Sequence, residues 1–276
     1  MKVFENIRIR ITSLFFPFSI VLFLLSCSAE RNLAREYLVS KDTIHVLLLQ
    51  TRNIIKKKLN IYSDSVLLQR NDSIIRSNES IINSMKDEVF LNLLYSGLYD
   101  GLKKRKFKIY SEDSLDNFMK HDFGYIINLS QIEIEEFDTP DTIFYQRDSI
   151  IYYKAFLLNS GNINFWFEVS NNKKDLETQQ VLFNSKTFKD EINTYYKEYL
   201  FSENATLLYN INKTTIDDLY RIVFSFGFLN AEYINDYFMN KYINERYNKN
   251  KTPIYFHYDK SQNKLSQAGY NRFIFM

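Results

Sequence analysis

Cysteine, glycine and proline are all scarce in this chain, which has one cysteine, six glycines and three prolines among its 276 residues. Because Cys27 is alone, no disulfide can form inside the chain, and the fold must depend on its hydrophobic core. Nucleophile elbows, phosphate-binding loops and dinucleotide fingerprints are absent, and six glycines leave little material for them. The three histidines, His45, His121 and His257, show no metal-ligand spacing, so we expect neither a metal nor a cofactor.

The first 26 residues have the three parts of a secretory signal peptide. A basic start is followed by an apolar block from Ile11 to Leu25 and by the small residue Ser26, which precedes Cys27. A transmembrane helix needs about 20 apolar residues, whereas this block is shorter and contains Pro17. We therefore predict that residues 1–26 are removed on export.

The segment Leu24-Leu25-Ser26-Cys27 resembles the lipobox of bacterial lipoproteins. In that class the cysteine thiol carries a diacylglycerol, and the cysteine becomes the first residue of the mature protein. The resemblance implies lipidation of Cys27, and several acyl chains hold a protein on a membrane far better than one chain does. Ser28 stands where an aspartate would resemble an inner-membrane retention signal, which favours the outer membrane. The residues just after Cys27 hold a single acid, Glu30, which favours the periplasmic face.

Positive and negative charges balance once the signal peptide is removed. That peptide holds three of the 35 basic residues and one of the 33 acidic residues, which leaves 32 of each in the mature chain. A protein without net charge has no general attraction for polyanions. We therefore expect no nucleic-acid partner, and we expect the lipid alone to provide membrane attachment.

Hydrophobic patterning predicts an α+β fold in the mature chain. We expect a polar tether over residues 27–42 and a single domain over residues 43–276, with a helical subdomain at 187–247 as an open alternative. The domain is predicted to begin with a short β-α-β-α segment, to continue as an antiparallel meander and to end in a helical third.

The first segment of the predicted domain contains two strands and a helix. Short apolar runs predict strands at 43–50 and 107–110, and helical spacing of apolar residues predicts a helix over 82–102. Gly97 and Gly101 lie four residues apart on that helix. This spacing indicates that another element approaches the helix closely there.

The central segment alternates apolar and polar residues, as strands do. Between residues 125 and 137 the apolar face switches, which predicts a β-bulge near Ser130-Gln131. Strands are predicted at 149–158 and 162–170, joined by a turn at 159–161.

The last third has helical periodicity in two places. One helix is predicted over 187–201, and a second begins at Thr215, where Asp218 completes a capping box. Gly227 is expected to interrupt the second helix. A late strand is predicted at 254–258.

The densest acidic cluster lies in the predicted central strand and consists of Glu133, Glu135, Glu136 and Asp138. Glu133 and Glu135 alternate with isoleucines, so they share one strand face, which we expect to be exposed to solvent. Paired carboxylates can also act as acid and base in glycoside hydrolysis. The cluster is therefore either a solvated strand face or a catalytic pair.

Trp166, the one tryptophan of the chain, stands between Phe165 and Phe167. In a strand the two phenylalanines share one face and the tryptophan takes the other. An exposed indole can bind a sugar ring, but aromatic residues also bury well in sheets. Trp166 is therefore a candidate glycan contact, with a core position as the alternative.

Asp-Ser or Asp-Thr followed by an apolar residue occurs six times in the chain, where random order predicts about one occurrence. The triplet resembles the O-glycosylation sequon that Bacteroides-type bacteria use on exported proteins. The resemblance makes Ser65, Ser73 and Ser114 candidate glycosylation sites. Asp-Ser is also frequent in turns and before helices, which is a second explanation for the triplets.

Three hypotheses of function follow from these patterns. The first is a non-enzymatic lipoprotein of the outer membrane whose periplasmic domain binds or helps to assemble another component of the cell envelope. The second is an anchored hydrolase of envelope glycan or peptide that uses the acidic strand. The third is a glycan-binding module built on Trp166.

The lipid anchor can be tested by the variant Cys27→Ala. Because the thioether is the one covalent anchor that the sequence predicts, we expect an unlipidated precursor that is lost from the outer-membrane fraction. Membrane fractionation with metabolic labelling by a fatty-acid analogue measures both effects. A variant that stays in the outer membrane as tightly as the wild type would refute the lipoprotein interpretation.

Overall fold

The computed structural model describes residues 29–40, 44–59, 75–76, 80–147, 150–172, 180–198, 205–247, 255–268 and 272–275. The fold is mixed α+β. The helices are α1 (29–40), α2 (Ile81–Ser84), α3 (Asp87–Lys104), α4 (Leu115–Met119) and α5 (Ile216–Arg246). The strands are β1 (His45–Leu49), β2 (Ile54–Leu59), β3 (Ile75–Arg76), β4 (Lys108–Tyr110), β5 (Tyr125–Arg147), β6 (Ile150–Asn171), β7 (Gln180–Lys189), β8 (Glu191–Glu198), β9 (Ala205–Asn212), β10 (Tyr255–Asp259), β11 (Lys264–Ala268) and β12 (Ile274–Phe275).

One large sheet carries most of the described strands, in the order β12-β7-β6-β5-β1-β4, with β2 paired to β5 and β3 paired to β6. β5, β6 and β7 are antiparallel neighbours. β1 and β2 both run parallel to β5 and lie end to end along it. The predicted bulge is confirmed between Leu129 and Gln131, in the gap between β1 and β2. The extra residue therefore lies where β5 changes its partner strand.

β6 is one unbroken strand, so the turn predicted at 159–161 is wrong. Gly161 lies in the middle of the strand, where a Cβ atom would overlap the ring of Phe188 and the carbonyl oxygen of Glu135. The glycine therefore serves a close approach between β5, β6 and β7 rather than a turn. Residues 150–159 of β6 continue past β7 with β5, and form the distal part of a long β5–β6 hairpin.

The helix predicted over 187–201 is also wrong, because β7 continues to Lys189 and β8 follows directly. β8 pairs with β9 in an antiparallel hairpin. This hairpin packs on one face of the distal β5–β6 hairpin, where the ring of Tyr196 stacks on Tyr145 at 4.5 Å and Tyr209 meets Phe156 edge-on at 5.3 Å. Residues 187–189, 191–198 and 205–212 are thus in strands rather than in the first part of a helical subdomain.

The polar tether predicted over 27–42 is corrected by α1, since residues 29–40 form a helix that packs on the domain. Ala34 and Tyr37 lie one turn apart and are 0% and 2% exposed. The Tyr37 ring lies 5.8 Å from that of Tyr242 on α5, and the Tyr242 hydroxyl donates to Glu36. An amphipathic helix with a narrow apolar face has a mostly polar composition, which explains why composition indicated a tether.

The core lies between one face of the large sheet and a layer made by α3 and α5. The two helices cross at three glycines, Gly97 and Gly101 of α3 and Gly227 of α5. A Cβ atom at Gly97 would overlap the carbonyl oxygen of Phe224, and one at Gly227 would overlap that of Leu94. The predicted close approach at Gly97 and Gly101 is therefore confirmed. The predicted interruption at Gly227 is wrong, since α5 is continuous through that residue.

The predicted capping box of α5 is also confirmed. Thr215 Oγ1 accepts from the backbone N–H of Asp218 at 3.2 Å, and Asp218 Oδ2 accepts from that of Thr215 at 3.0 Å. The hydrogen bonds from Thr215 lower the pKa of the Asp218 carboxyl group. The helix start is therefore fixed by residues that the sequence alone identifies.

The glycine crossing can be tested with the variant Gly227→Ala. Alanine favours a helix over glycine by about 1 kcal/mol, but its Cβ atom must displace α3 from α5, so we expect a net loss of about 1–3 kcal/mol in the free energy of unfolding. Urea denaturation measures this loss. Ser225→Ala, two residues away on the exposed side of α5, is the control and is expected to be neutral or slightly stabilising. Equal effects of the two substitutions would contradict the crossing.

Candidate functional site

Buried polar side chains are concentrated on α5. Asn230, Asn235 and Asp236 are 0% exposed, and Asn240 is 6% exposed. A charged side chain without solvent contact must have polar partners inside the protein.

Asp236 and Asn240 hold the backbone of β10. Asp236 Oδ1 accepts from the backbone N–H of Tyr258 at 3.1 Å. Asn240 Oδ1 accepts from the N–H of Phe256, and its Nδ2 donates to the carbonyl oxygen of the same residue, both at 2.8 Å. Side chains of α5 thus form hydrogen bonds with backbone groups of β10 that would otherwise pair with a neighbouring strand.

Four charged residues form a chain of alternating sign next to this contact. His257 Nδ1 lies 2.5 Å from Asp236 Oδ2, and its Nε2 lies 3.5 Å from Glu232 Oε1. Glu232 Oε2 accepts from Arg105 Nη2 at 2.5 Å, and Arg105 Nη1 donates to the carbonyl oxygen of Gly101 at 3.1 Å. We call Arg105, Glu232, His257 and Asp236 the charge chain. It connects the end of α3, α5 and β10.

Burial and pairing shift the pKa values in the charge chain. The hydrogen bond to Asp236 raises the pKa of His257, and its burial opposes this effect. Burial lowers the pKa of the Arg105 guanidinium, and the charge of Glu232 opposes that. Both ring nitrogens of His257 face carboxylates, so neither is directed at a substrate as a general base would be. The geometry therefore favours a structural role, in which the charge chain holds the β10–β11 hairpin against α3 and α5.

The other two histidines lie together beside β1 and β4. Tyr110 Oη is 3.0 Å from His45 Nδ1 and 2.8 Å from His121 Nε2, and the two imidazole rings stack with centroids 3.6 Å apart. Burial lowers the pKa of His45, and His121 contributes in the same direction. The Tyr110 hydroxyl thus occupies the point on which these two ring nitrogens converge, and a metal ion there would have to displace it.

The acidic strand is divided between the two faces of the sheet. Glu136 lies on the helix side, where it is 1% exposed and accepts from the backbone N–H groups of Ile81 and Ile82. Glu133 and Glu135 lie on the other face, as the alternation predicts. Glu133 is 7% exposed, however, because β2 runs alongside and Lys57 Nζ lies 2.8 Å from its carboxylate. The expectation of an exposed Glu133 is therefore wrong.

Trp166 shares that second face with Glu133 and Glu135, since Phe165 and Phe167 point into the core. Its indole is half-buried and lies 4.9 Å from the ring of Phe183 on β7. Neighbouring amides complete the face. Asn164 donates to Glu135 Oε2 at 3.2 Å and accepts from the hydroxyl of Ser185 at 2.7 Å. This face thus brings Trp166 together with Glu133 and Glu135, whereas Glu136 lies on the other face of the sheet.

An exposed apolar group lies on the distal β5–β6 hairpin, and sequence reasoning missed it. Phe144 pairs directly with Tyr153, and Ile151 pairs with Gln146, so Phe144, Ile151 and Tyr153 share one face. Their exposed fractions are 69%, 61% and 45%. We call these three residues the hairpin patch. The opposite face of the same hairpin is covered by β8 and β9 through Tyr145 and Phe156.

Most of the predicted modification sites lie outside the described residues, namely Cys27, Ser65 and Ser73. Ser114 is described and ends a short 3₁₀ helix, Glu112–Ser114. Its hydroxyl accepts from the backbone N–H of Ser111 at 3.2 Å and donates to the carbonyl oxygen of the same residue at 3.2 Å. A glycan on Ser114 would have to displace the second of these hydrogen bonds.

Comparisons with known proteins leave the family open. No protein-family model matches the chain, and a search of curated protein sequences gives no match. Among the residues that the structure describes, no helix is long and apolar enough to span a membrane. Within the same residues, no group of three or more histidine, cysteine, aspartate or glutamate side chains is arranged to hold a metal ion.

The sequence carried weak signals for the sites that were missed. Alternation along β5 and β6 shows that Phe144, Ile151 and Tyr153 share a strand face, but core residues alternate in the same way. Whether that face is buried or exposed depends on which other elements cover it. Asp236 and Asn240 occupy positions of the helical apolar face, and a polar residue on such a face is a usable signal of a buried contact.

The charge chain can be tested with Asp236→Asn. The pKa of His257 is higher in the folded protein than the usual 6.5 of an unfolded chain. Its contribution to stability is therefore complete below about pH 6.5, and it is lost as the pH rises through the raised value. We expect the variant to lower the pKa of His257, to lose about 1–3 kcal/mol of stability and to flatten the pH dependence above pH 6.5.

Proton NMR of the His257 ring and urea denaturation between pH 5 and pH 9 measure these effects. Asp100→Asn removes one carboxylate from an exposed position on α3 and serves as the control, with an unchanged His257 titration. A His257 pKa that stays raised in Asp236→Asn would mean that Asp236 is not the cause.

Proposed function

We propose that this chain is a non-enzymatic lipoprotein of the outer membrane, whose periplasmic domain binds another protein of the cell envelope. The hairpin patch is the observation that supports this proposal. The membrane anchor rests on the lipobox-like segment that ends at Cys27.

The hairpin patch has the properties of a protein-binding surface. Phe144 and Ile151 are more than half exposed. Burying either side chain in a contact would stabilise that contact by about 2–3 kcal/mol. Side chains of this kind grouped on one face mark interaction surfaces more often than single exposed apolar residues do. A partner that offers aliphatic or aromatic side chains fits the patch.

The backbone of β5 supports the same location. In the described residues, β5 beyond Phe137 pairs with β6 alone, and Pro140 lies within this stretch. A proline is tolerated in an edge strand because its missing N–H group faces away from the paired strand. An exposed edge next to an apolar patch can accept an added strand from a partner.

A glycan is the second candidate ligand, and the face that carries Trp166 favours it. A half-buried indole next to Asn164, Ser185 and Glu135 offers both a ring surface and hydrogen-bonding groups. The hydrolase alternative has less support, since Glu133 is already paired with Lys57 and Glu135 accepts from Asn164. A general acid or base must be able to reach the substrate.

Site-specific crosslinking in intact cells tests the proposed function. A photoreactive phenylalanine analogue at Phe144 or Ile151 should give the same crosslinked protein, identified by mass spectrometry. The same analogue at Val39, which is 80% exposed on α1, is the matched control and should not give that product.

Substitution then tests whether the side chains of the hairpin patch are needed for binding or only lie near the partner. We expect Phe144→Ser combined with Ile151→Ser to reduce the yield from a crosslinker at Tyr153 at least fivefold, with a change in melting temperature of less than about 2 °C, because exposed residues contribute little to folding. Val39→Ser should leave the yield unchanged. Equal crosslinking at Val39 and at the patch would refute the proposal, and a carbohydrate product in place of a protein would favour the glycan.

A further inference from the structure

A polar cavity lies where β7 passes into β8, beside the β5–β6 hairpin. Its volume is about 460 Å³, which is within the usual range of small-molecule sites. The lining residues are Asp141, Lys189, Asp190, Glu191, Ile192 and Asn193. They come from β5 and from the junction of β7 and β8.

Asp190 is the buried member of this lining, with an exposed fraction of 2%. Its backbone N–H donates to the carbonyl oxygen of Asn159 at 2.9 Å, which fixes the junction to β6. One carboxylate oxygen, Oδ1, accepts from the backbone N–H of Thr214 at 2.8 Å. The other, Oδ2, is buried and has no hydrogen-bond partner within the part of the chain that the structure describes.

A buried carboxylate oxygen without a partner destabilises the folded state, since the water that solvated it in the unfolded chain has been removed. Such a group in a folded protein calls for an explanation, and a bound molecule provides one. The missing partner must be a hydrogen-bond donor, and a positively charged donor compensates the charge as well.

The other lining residues indicate what kind of cation fits. Asp141 and Lys189 neutralise each other across 3.3 Å, so Asp190 and Glu191 provide the uncompensated charge of the lining. Ile192 adds an apolar wall. The volume is large for a bare ion, and among the described residues no set of side chains is arranged to hold a metal.

We propose that this cavity binds the ammonium group of an organic cation. Asp190 Oδ2 accepts a hydrogen bond from the ammonium group, Glu191 supplies the second negative charge, and Ile192 contacts the alkyl chain. The ammonium group belongs either to a free amine or to a lysine side chain of a partner. The site is separate from the hairpin patch and does not depend on it.

Calorimetric titration of the full-length mature protein tests the site. The probes are n-butylammonium chloride and, as its neutral counterpart, n-butanol. We expect saturable binding of the ammonium ion and none of the alcohol. Asp190→Asn should weaken ammonium binding at least tenfold, which is the usual loss for one charge-assisted hydrogen bond.

The melting temperature of the same variant shows whether a loss of binding is caused by a loss of folding. Asparagine can still accept from Thr214 N–H, and it removes the buried charge, so the melting temperature of ligand-free Asp190→Asn should equal or exceed that of the wild type. Asp100→Asn is the control for the loss of one negative charge and should bind within twofold of the wild type. Glu191→Lys at an exposed position places a cation in the cavity and should abolish binding without altering the core.

The source of the ammonium group is distinguished by a second pair of probes, Nα-acetyl-lysine methylamide and its Nε-acetylated form. Tighter binding of the former than of n-butylammonium indicates a lysine side chain, and weaker or equal binding indicates a free amine. Absence of saturable binding in the wild type would overturn the proposal. So would unchanged binding in Asp190→Asn and Glu191→Lys.

Discussion

The close crossing of α3 and α5 is the contact on which the rest of the structure depends. Three glycines remove the side chains that would hold the helices apart, and backbone atoms of one helix occupy the space that a Cβ atom would need on the other. Close contact lets both helices lie on the same face of the sheet and bury a common set of side chains. The crossing requires α5 to be continuous, because a break at Gly227 would interrupt α5 where it contacts α3.

The long helix α5 also organises the C-terminal part of the domain. Its buried polar residues bind the backbone of β10, and the charge chain extends from there to the end of α3. Buried charges are costly unless each has a partner, and Asp236, His257 and Glu232 each lie next to a group that can carry the opposite charge. The two perturbed histidine environments, at His257 and at His45, arise from packing and pairing within the domain.

The features that suggest binding lie away from this core. The hairpin patch and the polar cavity are both built on strands that extend past the helices, where β5, β6 and the β7–β8 junction are accessible. The arrangement separates the helical layer from the strands that carry the two proposed binding sites.

Local signals in the sequence determined much of the secondary structure. The bulge in β5, the capping box at Thr215 and the close approach at Gly97 and Gly101 each depend on a few neighbouring residues, and each is present. The helix predicted over 187–201 failed because apolar residues spaced three or four apart also fit a strand whose two faces are both partly covered. Gly161 was misread for a similar reason, since a glycine that serves a close contact has the same sequence signal as one in a turn.

By itself the sequence determined the lipobox-like segment that ends at Cys27 and the alternation that places Glu133 on the strand face opposite Ile132 and Ile134. Only the tertiary structure decided which alternating faces are covered. Lys57 of β2 buries Glu133, β8 and β9 cover one face of the distal hairpin and leave Phe144 exposed, and the β7–β8 junction buries Asp190. The physical reason is that periodicity assigns a side chain to a face, whereas burial depends on which distant element packs against that face.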